Sequence, residues 1–557
     1  SLTLTSGQTD YELKAAPGYL PGSSQLSIQL APSIFSQLLG TLDYLVEYPY
    51  GCTEQTMSHF LPSLAVMRVL DQKGIVIPEL QKRTPNVIQK GLTRLYRFQH
   101  GDGGWGWWEN DSNDLYMTAY VMHGLAVSQG SGVTVNPDVF RLGRESLETQ
   151  VKEQWKLGFG GKNQERYRRD TYAFAVYALA LSGATMPNTE AELLKFSDQL
   201  TPYGQAMLVL ALDRWNHSQS ADEIAAQLVD EQQSDRVGAF WKPTIPATVK
   251  VKPVDTWFHH EWLNETETTA WVIRALLAHN PNLDPQLLES SVHWILAHRQ
   301  AQGWESTKDS AAAIEALLAY TQRTSQLQAN ATQIQVRVNG ANIGQVSFDA
   351  QSLYKPELVL KIPASKIHGG NNQVQFVVAG SNAPIYANIV LKQSIRLEEN
   401  APQALSGPLK LERTYALLRS AKGMDGSPRF EETVLKDGES IPIGALVRVH
   451  VRVTGWQNGT DASHLILEDP LPGGFRATDD TLPSTESANS DYSSYTTEVR
   501  DDRIIGYYLN VWGKTLEFDY LLRAEVPGIY HVLPSRLWNM YSDWRLSGQE
   551  MHLHIVP

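Results

Sequence analysis

A single cysteine occurs in the 557 residues, Cys52, and a glutamine, Gln55, follows three positions later. With no second cysteine in the chain an internal disulfide is excluded, which leaves a free thiol, a metal ligand or a chemically modified side chain. Zinc-type sites need several Cys or His ligands at short spacing, and none flanks Cys52. In Tyr48-Pro49-Tyr50-Gly51-Cys52-Thr53-Glu54-Gln55-Thr56 the Cys-x-x-Gln spacing puts sulfur and carboxamide on one side of a single tight turn. Attack of the thiolate on the carboxamide carbon, with loss of ammonia, would close a small ring through a thioester. A cysteine near a helix N-terminus is expected to ionise more readily, and Gly51 allows a sharp turn or a close backbone approach. A buried, inert cysteine is the competing reading.

The flanks add a resemblance. Tyr-Gly-Cys-Thr-Glu-Gln-Thr resembles the Cys-x-Glu-Gln thioester signature of alpha-2-macroglobulins and thioester-containing complement proteins, and the preceding Tyr-Pro-Tyr resembles the bacterial branch. The resemblance implies a Cys52–Gln55 thioester with Gly51 and Glu54 as supporting motif residues. It also implies shielding of the bond by Tyr48 and Tyr50, and by Met540 and Tyr541 from Leu537-Trp538-Asn539-Met540-Tyr541-Ser542, across a domain interface. Ordinary packing is the alternative for each of these four. Complement-type members use a His to favour hydroxyl acceptors. The loop taken as its match, Trp108–Asp114, contains none, so direct attack by lysine amines is implied, with Asn113 and Asp114 in the neighbourhood. His59 shares a helix face with Gln55 and reads as a packed or solvated residue.

Positioning such a turn falls to the elements on either side. Gln25–Leu30 alternates polar and apolar residues, as a strand does, and from Pro32-Ser33 the apolar positions Ile34, Leu38, Leu39, Leu42, Leu45 and Val46 recur at helical spacing. A second helix is expected from about Glu54 to Leu70. Up to about Tyr320 one theme repeats: a polar or Gly-rich entry, a Thr or Ser, then an Ala/Leu/aromatic helix. Thr118, Thr171, Thr269 and Ser310 sit at like places in it. Self-similarity at roughly 40–60 residues signals stacked or closed helix pairs, here an α/α-toroid of about a dozen helices. Gly103-Gly104-Trp105 and Gln302-Gly303-Trp304 enter two of these helices and read as aromatic plugs. After Gln322 the period switches to two, with Asn339-Gly340 as a hairpin signal. The block from Leu409 onward, including Leu446–Val453, reads as a β-sandwich. Within it Leu467-Glu468-Asp469-Pro470-Leu471-Pro472-Gly473-Gly474-Phe475 resembles the C-terminal macroglobulin-like domain of bacterial family members.

The expected fold class is multidomain α and β. The resemblance runs nearly end to end and implies that an α/α-toroid thioester domain (33–322) is inserted in a CUB-like β-domain (1–32 and 323–400), with a macroglobulin-like β-sandwich (401–557) following. Net charge of −13 and the lack of a Lys/Arg stripe disfavour a nucleic-acid partner. No apolar run approaches a membrane span. Ser1-Leu2-Thr3-Leu4-Thr5 does not look like a signal peptide and reads as the middle of a strand, as in an excised piece. Asp255–Glu261 gathers His and acids without the i,i+4 spacing of a helical zinc site, so no metal and no cofactor is expected. The Asn-x-Ser/Thr sequons at Asn216, Asn264, Asn330 and Asn458 matter only in a glycosylating source.

The resemblance implies a non-enzymatic, broad-spectrum peptidase inhibitor for bacterial defence: a bait segment, not found here, is cleaved, and Gln55 acylates a lysine of the attacking protease once. It further implies periplasmic placement, with the full-length protein associated with the inner or outer membrane, and envelope proteins as partners beside the target proteases. Two other classes stay open. One is a toroid enzyme, including a cysteine hydrolase without an assignable His; the other is an inert structural or interaction module with an unreactive Cys-x-x-Gln.

Overall fold

Apolar runs without an amphipathic period become helices buried on all sides, whereas helices with one apolar stripe form an outer layer. The computed structural model describes all residues except 1, 17–18, 21, 48–50, 157–165, 245–262, 301–302, 325–331, 381–383, 395–408, 423–427, 457–462, 479–491, 512–514 and 541–544. In chain order the helices are α1 (Ile34–Glu47), α2 (Thr53–Lys73), α3 (Pro78–Arg97), α4 (Leu115–Gly130), α5 (Pro137–Lys156) and α6 (Arg166–Leu181). Then come α7 (Pro187–Leu194), α8 (Pro202–Arg214), α9 (Ser218–Asp230), α10 (Glu265–His279), α11 (Glu289–Ala297) and α12 (Thr307–Arg323).

The even-numbered helices form a closed ring: α2, α4, α6, α8, α10 and α12 each pack on the next, and α12 packs back on α2. α4 buries twelve of its sixteen residues, so both its flanks and its inner face are covered. α9, by contrast, buries only the stripe Ala221, Ile224, Ala225 and Leu228, and packs from outside on α8 and α10. This is the expected α/α-toroid, with small residues such as Ala270, Ala275, Ala313 and Ala316 letting its inner helices approach.

Strands before and after the ring pair with each other. Leu2–Leu4, Ile385–Lys392, Gln25–Ala31 and Leu358–Ile362 form one sheet in that order, all antiparallel; Gly7–Lys14, Asn371–Ala379, Thr332–Val338 and Ala341–Phe348 form the other. Leu26, Ile28 and Leu30 meet Ile334, Val336, Val338, Val374 and Phe376 in the core between them. The turn Asn339-Gly340 has φ of 50° and 78°, the left-handed pair a tight hairpin needs. The ring is thus inserted in a β-sandwich. Ser33 Oγ donates to Leu353 O at 2.5 Å, and Arg299 meets Glu357 at 3.3 Å, both tying ring to sandwich.

A first compact unit ends at Ser394; the second holds the strands from Lys410 to Val556. In the second, strand Leu446–Thr454 buries Val447, Val449, Val451 and Val453 and turns Arg448, His450 and Arg452 outward, each against an acid on another strand of the same sheet: Glu432, Asp519 and Glu517. The Glu468-Asp469-Pro470 motif has a structural role. Asp469 is fully buried and receives Arg413 Nη1 at 2.5 Å, Tyr520 OH at 2.6 Å and Ser535 Oγ at 2.9 Å. Among the described residues no helix is long and apolar enough to cross a membrane.

Candidate functional site

The start of α2 builds the site. Cys52 is its N-cap, in extended conformation, and Gln55 is the third helical residue. Gln55 N–H donates to Cys52 Sγ at 3.4 Å while Gln55 Oε1 accepts from Cys52 N–H at 3.2 Å. This is a capping box with sulfur in the place of a serine hydroxyl. It holds the thiol and the carboxamide against one another across one turn, at 0% and 2% exposure.

Three neighbours fix the turn from outside. Arg94 Nη2 on α3 donates to Gly51 O, and a Cβ at Gly51 would collide with that guanidinium. A side chain at position 51 would displace this guanidinium, so glycine here admits the Arg94 hydrogen bond. Thr53 donates through both N–H and Oγ1 to Trp107 O, at 2.9 and 3.1 Å. The third neighbour is α12: Thr307 Oγ1 donates to the Glu54 carboxylate at 3.1 Å, and Ser58 Oγ donates to the same group and contacts Tyr120 OH at 3.2 Å. Beside Thr307, Lys308 pairs with Glu267 of α10 at 2.6 Å. Glu54, Lys308 and Glu267 are all buried, so charge is placed inside the ring and balanced there.

One expectation is overturned. The helix N-terminus does not make Cys52 easy to ionise. Burial, and after it the Glu54 carboxylate, push the thiol well above its ordinary range. A helix terminus stabilises an anion by only about 0.3–2 kcal/mol, less than removing a thiolate from water and placing it beside a carboxylate costs. His59, half-buried, is pushed down to about 4, first by burial and then by Arg94, so it is neutral near pH 7.

The Trp108–Asp114 loop has no histidine of its own, yet the fold brings His100 to it. His100 Nδ1 lies 2.7 Å from Asn113 Oδ1, and Nε2 lies 3.3 Å from Trp108 O and 3.4 Å from Asp111 Oδ1. Asp111 accepts from Trp107 N–H at 2.7 Å and from Trp108 N–H at 3.2 Å, which fixes the segment whose carbonyl receives Thr53. Asp114 caps α4 by accepting from Met117 N–H at 2.8 Å. Asn113 and Asp114, which the sequence places in the neighbourhood without a catalytic role, do structural work here.

The Gly-Trp loops are latches. Trp105, Trp241 and Trp304 send their indole N–H back to Leu95 O, Leu228 O and Ile295 O on the preceding outer helix, at 2.7, 2.6 and 2.8 Å. Their backbone N–H groups bond forward to Thr118, Thr269 and Ser310 on the next inner helix, at 3.1, 3.0 and 2.9 Å. The repeated Thr/Ser legible in the sequence is the receiver of this latch. Trp241 makes the same latch without the Gly-Trp signature, since Phe240 precedes it.

Tyr48, Tyr50 and Tyr541, and the Asp255–Glu261 cluster, lie outside the described residues. Met540 belongs to the second unit, where its N–H donates to His464 O at 3.0 Å. Among the described residues no group of three or more His, Cys, Asp or Glu is placed to hold a metal ion.

Comparison with known proteins follows the same division. The family model "A-macroglobulin TED domain" matches residues 27–140 and 188–320, and "Bacterial Alpha-2-macroglobulin MG10 domain" matches 409–543. A third, "Cellulose synthase BcsB, first CBM domain", matches 306–390, across α12 and the later strands of the first sandwich. An alpha-2-macroglobulin of Thermotoga maritima is 28% identical over 52% of this chain and 15% of its own length. An alpha-2-macroglobulin homolog of Yersinia pestis is 22% identical over 96% of this chain and 25% of its own. The chain thus spans a quarter or less of the length of these two relatives. Among solved structures, native Escherichia coli alpha-2-macroglobulin from domain MG7 to the C-terminus covers 99% of this chain and 82% of its own, with TM-score 0.67 at 19% identity. Salmonella alpha-2-macroglobulin reacted with methylamine covers 99% and 34%, with TM-score 0.66 at 21% identity. With a thioester-type helical domain followed by a bacterial MG10 domain, the chain belongs to the bacterial alpha-2-macroglobulin family.

Proposed function

We propose that Cys52 and Gln55 form an internal thioester that acylates an attacking protease once. In formation, Sγ bonds to Gln55 Cδ, the carboxamide nitrogen leaves as ammonia and the thiol proton goes with it. In capture, a lysine amine adds to the same carbon, the C–S bond breaks, and the thiol of Cys52 is regenerated beside a new amide. The residue is consumed, so the chain inhibits without turning over. Bait cleavage as the trigger, lysines of the protease as acceptors, and a periplasmic site of action belong to the same reading. They concern a protein of which the chain matches only part of the known relatives' length.

The observation that carries the proposal is the turn itself: sulfur and carboxamide face each other across three residues, dry and held from α3, α12 and the Trp107 loop. Exclusion of water is what an acyl–sulfur bond needs to persist. The methylamine named for the Salmonella relative is the simplest amine acceptor.

A second reading draws on the same turn. Cys52 and Gln55 also satisfy the first turn of α2 as a plain capping box, which is all that an inert module would require. Intact mass of fresh protein with and without methylamine separates the two. A deficit of one ammonia that becomes an amine adduct, with appearance of one thiol, supports the thioester. Peptide mapping that finds unmodified Gln at position 55 and a free thiol before treatment leaves only the cap.

A further inference from the structure

A buried polar atom without a partner marks a place where a hydrogen bond or a proton is missing. Asp111 Oδ1 is such an atom among the described residues. The other oxygen of that carboxylate, Oδ2, accepts from Trp107 N–H and Trp108 N–H at 2.7 and 3.2 Å. This is the segment whose carbonyl receives Thr53, next to Cys52. Oδ1 itself faces His100 Nε2 at 3.4 Å, with Asp111 8% and His100 13% exposed. Burial pushes the Asp111 carboxyl up, and the two backbone bonds and then His100 pull it down.

The surrounding bonds fix which protons His100 must carry for the network to close. Asn113 Nδ2 donates to the Asp102 carboxylate at 2.6 Å, which turns Asn113 Oδ1 toward His100. An amide oxygen only accepts, so His100 Nδ1, 2.7 Å away, is the donor. Across the ring Nε2 meets two further acceptors, Trp108 O at 3.3 Å and Asp111 Oδ1. A neutral imidazole carries one N–H; with that proton on Nδ1, a lone pair on Nε2 points at two oxygens. Only the doubly protonated ring donates on both sides. The charges nearby favour it. Asp102, Asp111 and Asp114 share its loop, and Glu145 and Glu153 of α5 wall the cleft that Asp102 and Asn113 line. Arg97, the cation at the end of α3, is paired with Glu109 at 3.0 Å.

We infer that His100 is a positioning residue for the Cys52–Gln55 turn and acts as an imidazolium. Protonated, it completes the bonds around Asp111 that hold the Trp107 carbonyl on Thr53. Without the Nε2 proton, its lone pair repels Asp111 Oδ1 and Trp108 O, and the loop loosens. Histidine is the side chain suited to such a change between about pH 5 and 8, so the turn is held tightest in acid. The inference rests on the thioester reading for its chemical consequence. A looser loop admits water, whose oxygen bonds to Gln55 Cδ; the C–S bond breaks, one proton goes to sulfur, and a carboxyl group is left at position 55.

Two readouts on the 557-residue chain test this, and one needs no thioester. Hydrogen exchange of the Thr53, Trp107 and Trp108 amides, corrected for its intrinsic pH dependence, reports on the loop. At about pH 5 exchange in His100→Gln should be about tenfold faster than in the parent, as loss of a charge-assisted hydrogen bond predicts, and at about pH 8.5 the two should agree. Asp111→Asn is the complementary variant: its amide N–H can donate to the Nε2 of a neutral His100, so the step with pH should vanish. The second readout is intact mass over time, in which gain of one water by the ammonia-deficient species should follow the same ratio. Equal exchange in parent and His100→Gln at both pH values, or a step that survives in Asp111→Asn, overturns the inference. An exchange step without the mass step confines His100 to the loop and overturns its role at the bond. Fresh protein without the ammonia deficit overturns the thioester reading alone, and exchange at Thr53 then still decides whether His100 positions the turn. Thermal melts matching the parent establish that both variants are folded.

Discussion

Lys308 is the partner that makes a buried acid tolerable inside the ring, and removing it tests how the ring interior is balanced. Its ammonium lies 2.6 Å from Glu267, with the side chains 3% and 1% exposed, and over the Tyr116 ring at 5.6 Å. Burial pushes Glu267 up to about 7 even though Lys308 pulls it down. A raised folded pKa means that this group favours the fold most below the unfolded value of 4.5, and that the benefit is lost as pH rises through about 7. Lys308→Met deletes the pull and leaves the desolvation, so the loss should continue above pH 7. At pH 5 Glu267 is protonated with or without Lys308, and the variant loses little more than a hydrogen bond, about 1 kcal/mol. At pH 8.5 it leaves an acid with no cation, which costs about 3–5 kcal/mol, a fall of roughly 5–10 °C in a domain of this size. Scanning calorimetry from pH 5 to 8.5 reads this directly, and adding Glu267→Gln to Lys308→Met should remove the pH dependence. A cost that is equal at both ends of the range, or below about 1 kcal/mol at pH 8.5, would refute the reasoning.

Glu54→Gln removes the carboxylate that, after burial, most disfavours the Cys52 thiolate. In methylamine-treated protein the pH midpoint for alkylation of Cys52 should fall, and an unchanged midpoint would mean that Glu54 does not act on the thiol. Trp304→Phe deletes the indole N–H that reaches Ile295 O at 2.8 Å and should cost about 1–3 kcal/mol in urea unfolding. Asp469→Asn leaves Arg413 without its anion in the second unit. It should lower that unit's transition by about 3–5 kcal/mol while the first unit's transition stays in place.

Local periodicity was legible wherever one face of an element is buried. Val447, Val449, Val451 and Val453 alternate with charged residues because a strand has period two, and the core takes one face. Asn339-Gly340 announced its hairpin because few residues accept two successive left-handed positions. Cys52 and Gln55 could be paired on paper because three residues of one helical turn separate them. What holds that turn was not legible. Arg94 lies 43 residues from Gly51, and Thr307 lies 253 residues from Glu54. The first depends on how α3 folds back on α2, and the second on ring closure, which brings α12 back to α2; no local pattern states either. His100 escaped for a smaller reason: the loop it enters begins eight residues beyond it. Similarity among Thr118, Thr269 and Ser310 was visible, but their task was not, since each latches a tryptophan of an earlier loop.

The same local chemistry serves two opposing demands on an acyl–sulfur bond. Closing the bond requires a thiolate, and the folded site opposes one by burial and by Glu54. Keeping the bond closed requires that thiolate be a poor leaving group, and the same two influences provide that. On the proposed reading the folded turn is therefore arranged to preserve a thioester rather than to make or spend one. Release then needs water or an amine to enter, or Glu54 to lose its place. The groups that set both are Thr307 on α12, which holds Glu54, and Trp107, whose carbonyl holds Thr53. Movement of α12 or of the Trp107 loop relative to α2 would thus free the carbonyl carbon for attack and remove the charge that resists departure of sulfur. Reactivity would be governed by ring packing around Cys52, with no titrating base required at the site.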